Sequence, residues 1–210
     1  MKSSTLCGSL LLTVLVTLGC NGEQAERTQF QQPDTLGVTQ PVTTAPAAGM
    51  TSDAAATVDM EMINREGQRI GTARLTQENG GVRIALQASN LPAGPKGYHF
   101  HETGRCDTPS FESAGDHFAP MGRQHGLQNP QGPHAGDMPN LPIRQNGTVD
   151  TVLVNPRVTL QTGVPNSLFD GDGTALVIHA GEDDQRTDPS GNSGDRIACG
   201  VVDRARATGL

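Results

Sequence analysis

Six histidines carry the most conspicuous chemistry of this sequence, and all of them lie in or beside two stretches rich in Gly, Pro and Asp. They are His99, His101, His117, His125, His134 and His179. Neutral imidazole is the commonest biological metal ligand, and a set of His and Asp side chains suits copper, zinc or iron better than magnesium or calcium. His134 and Asp137, in "PHAGDMP", can form a local chelate. Any one histidine could instead cap a helix, occupy a turn or face solvent, but the group together predicts a metal site.

The stretch "GYHFHETGRC" indicates how a strand would present two of these ligands. Successive side chains of a strand point to opposite faces, so residues i and i+2 share a face. Tyr98 and Phe100 would then face an apolar interior, while His99 and His101 project together from the other face. The alternative is a pair of surface histidines on a half-exposed strand.

The elements that must position these ligands are short segments of alternating polarity, which begin at about residue 54. They are "TVDMEMI", "IGTARLTQ", "GVRIALQA", "IRQNGTVDTVLV", "GTALVIHA" and "RIACGVV", with turn signals at Glu78–Gly81 and Asn146–Gly147. Aromatic residues make up 3% of the chain, and 26 Gly and 14 Pro disfavour a large helical core. The pattern predicts an all-β fold, an antiparallel sandwich or barrel.

Two long loops interrupt this pattern, from Glu102 to about Leu141 and from Gly181 to Asp195. Loops of this length inside a compact domain are usually functional. Because they contain little apolar material, we expect metal ligation to supply the order that apolar burial cannot.

The N-terminal region has the composition of an exported protein. Residues 1–20 are typical of a signal peptide, with an apolar run from Leu10 to Leu18 that is too short to span a membrane. Gly19–Cys20 resembles a bacterial lipoprotein cleavage site with Cys20 as the lipidated residue, and ordinary secretory cleavage is the alternative. Residues 21–53, rich in Gln, Thr, Pro and Ala, are expected to form a disordered tether, and residues 54–205 the folded domain.

The net charge limits the binding partners that the chain can have, and its cysteines indicate a disulfide. A net charge of −7 without a basic run argues against binding to nucleic acid or to anionic lipid, so membrane contact is expected only through a lipid on Cys20. Cys106 and Cys199 are the only cysteines of the folded region. In an exported domain they most simply form one disulfide, and two separate buried thiols are the alternative.

Six motifs in order, "GYHFHETGRC", "SAGDHFAP", "RQHG", "PHAGDMPNL", "LVIHAGEDD" and "GNSGDRIACGVV", resemble the copper/zinc superoxide dismutases of the bacterial type. The resemblance covers about Ala56 to Asp203. It implies a Greek-key sandwich or barrel of about eight antiparallel strands with two long functional loops, and an exported oxidoreductase that converts superoxide to dioxygen and hydrogen peroxide.

The resemblance also implies a role for each candidate residue. The copper ligands would be His99, His101, His117 and His179, and the zinc ligands His117, His125, His134 and Asp137. His117 would bridge the two metals and carry a proton for peroxide formation, with copper as the redox centre and zinc as the structural and tuning metal. Asp183 would link one histidine of each set, Cys106 and Cys199 would form the family disulfide, and Arg196 would attract and orient superoxide.

The sequence departs from the family in its steering charges, because the loop "GEDDQRTDPSGNSGD" contains no Lys. Steering would then rest on arginines such as Arg196, Arg186 or Arg105. The alternatives are an exported copper-buffering protein on the same fold, or a catalytically silent cell-surface sandwich. Retention of every ligand position disfavours both. The sequence leaves open whether the chain is a monomer or a homodimer.

Overall fold

The computed structural model describes residues 55–210, so the predicted signal peptide, Cys20 and nearly all of the tether lie outside the described residues. The strands are β1 Thr57–Asn64, β2 Arg69–Glu78, β3 Gly81–Ala88, β4 Gly94–Lys96, β5 Tyr98–His101, β6 Leu141–Ile143, β7 Val149–Asn155, β8 Thr174–His179, β9 Arg196–Val202 and β10 Ala207–Thr208. Short 3-10 helices cover Glu112–Ala114 and Arg204–Arg206. Among these residues, no helix is long and apolar enough to cross a membrane.

Eight antiparallel strands form one curled sheet with the order β5-β8-β9-β1-β2-β3-β7, and β10 pairs with β1. Neighbours that are distant in sequence, β5 with β8 and β3 with β7, give the sheet crossing connections of the Greek-key kind. β4 and β6 form a separate pair. The predicted all-β class is therefore confirmed. β10 lies beyond residue 205, where the predicted domain ends.

The core lies on the concave face of this sheet, because alternate residues of each strand point inward. β3 shows the alternation most clearly, with Val82, Ile84, Leu86 and Ala88 buried. On β5, Tyr98 and Phe100 join this core as predicted, whereas His99 and His101 point to the opposite face. All four β5 side chains are buried, so the alternative of a half-exposed strand is wrong.

The long loop between β5 and β6 covers the outer face of β5, β8 and β9 and has an apolar anchor of its own. Phe111 and Ala114 of the loop are fully buried against Ala175, Val177 and Cys199. The expectation that the loop lacks apolar support is therefore wrong in part, since one phenylalanine fills a second small core. Phe118 and Met138 of the same loop are buried in the main core. Apolar residues this far apart in the sequence produce no periodic signal.

Candidate metal centre

Four buried histidines converge on the outer face of β5 and β8. His99 and His101 come from β5 and His179 ends β8, while His117 pairs with His101 through an isolated β-bridge. One nitrogen of each ring lies within 4.8 Å of the others. These are the four residues that the sequence predicts as copper ligands, so the strand register and the loop bring the whole set together.

Hydrogen bonds fix which nitrogen of two of these rings faces the cluster. The Nδ1–H of His101 donates to the carbonyl of Gly115 over 2.9 Å, and the Nδ1–H of His179 donates to the carbonyl of Gly194 over 3.0 Å. Each ring is thereby left with a lone pair on Nε2, and the two Nε2 atoms face one another at 3.4 Å. Two facing lone pairs at this distance suit a shared cation.

His99 completes the set through its other nitrogen. Its Nε2–H donates to Oδ2 of Asp183 over 2.7 Å, since a carboxylate only accepts. Nδ1 of His99 and Nε2 of His117 are buried and have no hydrogen-bond partner within the described residues. Buried polar atoms normally have a partner. These orphaned lone pairs, aimed at the same point, therefore fit a metal ion.

Asp137 gathers the second set of donors around one carboxylate oxygen. Its Oδ1 lies 3.3 Å from Nδ1 of His117, 2.9 Å from Nδ1 of His125 and 3.4 Å from Nδ1 of His134. Tetrahedral zinc with bonds of about 2.0–2.1 Å separates its ligand atoms by about 3.3 Å. The three distances from Asp137 are therefore close to those between the ligands of one zinc ion.

The group whose donor atoms all lie within 4.8 Å of one another contains His99, His117, His125 and Asp137, and it does not contain His134. Nε2 of His99 is, however, engaged with Asp183. Nδ1 of His134, by contrast, is buried without a hydrogen-bond partner. The position of His134 in the second set stays a prediction of the sequence, supported by this orphaned nitrogen and by its distance of 3.4 Å from Oδ1 of Asp137.

Asp183 joins the two sets. Its Oδ2 accepts from His99, and its Oδ1 accepts from Nε2–H of His125 over 3.1 Å. The Asn140 side chain holds the Asp183 backbone through two hydrogen bonds, of 2.8 and 2.9 Å. A Cβ atom at Gly191 would overlap Oδ1 of Asp183, so only glycine fits there. The carboxylate is thus fixed by its surroundings before it orients either histidine.

Burial sets the charge of the imidazoles. Desolvation lowers the pKa of His99 to about 3 and that of His179 to about 4, and it also lowers the pKa values of His101 and His117. Neutral imidazole is the form that binds metals. For His125, burial acts to lower the pKa, but hydrogen bonds to two carboxylates outweigh it and raise the pKa to about 9.

The two carboxylates remain ionised. Burial acts to raise the pKa values of Asp137 and Asp183, but hydrogen bonds from the histidines lower both well below the usual range. Each carboxylate thus offers a full negative charge to the site, either as a ligand or as an acceptor for ring N–H groups.

A cleft opens onto the first set, and its lining includes three of those histidines, two arginines (Arg123 and Arg196) and three acidic residues. The cleft gives a small anion access to three of the four histidines of the first set.

Two backbone carbonyls hold Arg196 in this cleft, where the sequence predicts an anion-binding arginine. Its guanidinium donates over 2.7 Å to Phe111 and over 2.7 Å to Gly115. Phe111 has a φ of 57°, a left-handed conformation that is unusual for a bulky residue. Arg196 makes no ion pair among residues 55–210.

The other two arginines suggested for steering do not line this cleft. Arg105 is paired with Asp107, and Arg186 donates to the side chain of Gln128. Arg123 does line it, and the sequence analysis missed this residue. Its position two residues before His125 was the available signal.

The disulfide between Cys106 and Cys199 is present and spans 93 residues. It ties the long loop to β9, so the predicted pairing is confirmed and the alternative of two free thiols is wrong.

Known proteins with similar sequences and structures agree with the metal-binding geometry. Residues 69–202 match the sequence profile of copper/zinc superoxide dismutase. The chain belongs to this family, whose members are oxidoreductases with copper and zinc as cofactors.

Individual relatives support the assignment. Superoxide dismutase [Cu-Zn] 1 of Aquifex aeolicus is 54% identical over 143 residues, 68% of this chain and 85% of the relative. The superoxide dismutase-like protein YojM of Bacillus subtilis is 36% identical over 195 residues, 92% and 93% of the two chains. The crystal structure of a SOD-like protein from Bacillus subtilis matches with a TM-score of 0.67 and 41% identity, over 69% of this chain and 97% of that one.

Proposed function

We propose that the chain dismutates superoxide with copper held by His99, His101, His117 and His179, and with zinc held by His117, His125, His134 and Asp137. The observation that carries this assignment is the orientation of His117. Its Nδ1 lies 3.3 Å from Asp137 in the second set, whereas its buried Nε2 has no hydrogen-bond partner and belongs to the first set. One ring therefore serves both sites.

The chemistry of the residues matches the reaction, in which two superoxide anions and two protons give one dioxygen and one hydrogen peroxide. Copper, when bound, supplies the one-electron exchange with each anion, which zinc cannot supply. Arg196 draws the anion into the cleft and orients it by charge and by its planar donors. Nε2 of His117 can hold a proton when it is not a ligand and can donate it toward the nascent peroxide. The second set keeps that ring in place.

A superoxide assay on the purified chain tests the proposal, with copper and zinc content measured on the same sample. We expect dismutation with both metals bound, and loss of both sites in His117→Ala because one ring serves two ions. Arg144→Ala, which changes an exposed arginine away from the centre, is the control. Full loading of both metals without dismutation would contradict the proposal and favour copper buffering.

We also propose that the protein is exported and lipidated at Cys20. The support is the apolar run from Leu10 to Leu18 followed by Gly19–Cys20, together with a disulfide that is typical of oxidising compartments. Cys20→Ser should release the protein from membranes into the soluble exported fraction. A wild-type protein that already fractionates as soluble would contradict the anchor.

A further inference from the structure

Two side chains, one from the last residue of β7 and one from two residues beyond it, bind the backbone of the turn that carries His134 and Asp137. The Nδ2–H of Asn155 donates to the carbonyl of Ala135 over 2.9 Å, and the guanidinium of Arg157 donates to the carbonyl of Asp137. Asn155 is buried and is the last residue of its strand. The turn is therefore held from the barrel side by two donors, in addition to the contacts inside the long loop.

Arg157 occupies this position at an energetic cost. It is half-buried, its Nε is buried with no hydrogen-bond partner, and it makes no ion pair among the residues described. Burial lowers its pKa, and the nearby charge of Asp137 counteracts that effect. A half-buried cation without a salt-bridge partner is unfavourable for stability alone. Within the described residues the carbonyl of Asp137 is the only acceptor of this guanidinium, so that hydrogen bond must offset the cost.

The backbone around Arg157 is itself fixed. Its N–H donates to Oδ1 of Asn155 over 3.0 Å, and its carbonyl accepts from Nδ2–H of Asn166 over 3.0 Å. A guanidinium presented from such a segment can define the position of the group it binds, because its own anchor does not move freely.

Asp137 is consequently held at both its side chain and its backbone. Its Oδ2 accepts from the backbone N–H of Gly126 over 2.8 Å and of His134 over 3.0 Å, and its carbonyl accepts from Arg157. Oδ1 is left to face the three Nδ1 atoms. The arrangement orients Oδ1, an atom to which Arg157 itself donates no hydrogen bond.

We propose that Arg157, assisted by Asn155, is a positioning residue for zinc, which sets the affinity and the coordination geometry of the zinc site from the barrel side. This inference rests on the proposed function, specifically on the assignment of Asp137 to zinc. Residues that orient metal ligands typically contribute about 10-fold to 100-fold to metal affinity.

The test uses the full purified chain with zinc, and with cobalt as a visible-absorbing substitute. In Arg157→Met we expect zinc affinity to fall at least about tenfold in competition with a chelator, and the cobalt absorption bands to shift because Asp137 moves. Arg157→Lys, which can still donate to the carbonyl, should recover part of the affinity. Arg144→Met is the matched control, because the Arg144 side chain is exposed and donates no hydrogen bond within residues 55–210.

The outcomes distinguish a failure of the positioning role of Arg157 from a failure of the assignment of Asp137 to zinc. A wild-type chain that binds neither zinc nor cobalt would overturn the zinc assignment and the positioning role together. A zinc-binding wild type with unchanged affinity and cobalt spectrum in Arg157→Met would overturn the positioning role alone. If Arg157→Met does not fold, Asn155→Ala removes the neighbouring hydrogen bond to the carbonyl of Ala135. An unchanged zinc affinity and cobalt spectrum in Asn155→Ala would then overturn the positioning role.

Discussion

Replacing Asp183 by Asn removes the charge of the carboxylate that joins the two ligand sets. The structure indicates which of the two sets should lose more metal affinity. Oδ1 of Asp183 accepts from the backbone N–H of Gln185 over 2.6 Å and from His125 over 3.1 Å, whereas Oδ2 accepts only from His99. The backbone N–H of Gln185 can only donate, so it requires an oxygen opposite it. The amide oxygen of Asn should therefore take the Oδ1 position, and its NH2 group should face His99.

The consequence for His99 is a change of tautomer. With an NH2 group opposite, Nε2 must become an acceptor, and the ring proton moves to Nδ1, the atom that faces the first ligand set. The loss of a charge-assisted hydrogen bond costs about 1.5–3 kcal/mol. At about 1.4 kcal/mol per factor of ten, copper affinity should fall by about tenfold to a hundredfold. His125 keeps an oxygen acceptor, so zinc affinity should fall less.

Chelator competition measures both affinities on the same preparation of Asp183→Asn. Asp184→Asn is the matched control, because it removes a neighbouring charge on the same loop whose hydrogen bonds go to Arg186, Thr187 and Asn192 and not to any histidine. A zinc affinity that falls as much as the copper affinity would refute the assignment of the amide orientation. Unchanged affinities for both metals would refute the orienting role of Asp183.

Three further predictions concern activity, the disulfide and pH. Arg196→Glu should lower dismutation at least about tenfold, or about 1.4 kcal/mol of barrier, without loss of copper or zinc, as measured by activity and metal analysis together. Reduction of Cys106–Cys199 should lower the free energy of unfolding by about 2–5 kcal/mol, measured by melting the chain with and without a reductant. The metal-free chain should lose stability as the pH falls below 6.5, because burial lowers the pKa of His99 to about 3 and of His179 to about 4 in the folded state. The unfolded chain then binds more protons than the folded chain. Each histidine therefore lowers the free energy of unfolding by up to about 1.4 kcal/mol per pH unit, down to its folded pKa. Denaturant titrations at several pH values would detect this decrease.

Each of these has a clear contrary result. Full activity of Arg196→Glu with full metal loading would place the anion site elsewhere, and Arg196→Lys should be intermediate because it keeps the charge and loses the planar donors. An identical melting curve with and without the reductant would show that the disulfide does not stabilise the fold. A constant unfolding free energy between pH 6.5 and 4 would mean that the buried histidines of the metal-free chain become solvated.

The sequence predicted the residues of the site better than the contacts that hold them. The alternation of "YHFH" was sufficient to separate Tyr98 and Phe100 from His99 and His101, because a strand has a fixed period of two. The type and clustering of the loop histidines indicated a metal centre. Asn140 and Arg157 were not found, since each acts across a long sequence separation, and no local pattern connects a donor to a carbonyl in another loop.

Some of the fold was hidden for a different reason. β4 and β6 have the sequences "GPK" and "LPI", in which proline removes a backbone donor and normally argues against a strand. Pro95 and Pro142 nevertheless face each other in the short pair. Strands this short depend on tertiary contact, which a single sequence does not display.

Metal binding depends on the correct register of β5 against β8. Tyr98 lies opposite Ile178 and His99 lies opposite Val177. A slip by one residue would send both β5 imidazoles into the apolar core and both aromatic rings toward the ligand atoms. A misregistered chain could therefore be compact and strand-rich and still be unable to take up metal. Metal uptake would then select correctly paired molecules during maturation, a sorting that measurements of strand content alone would miss.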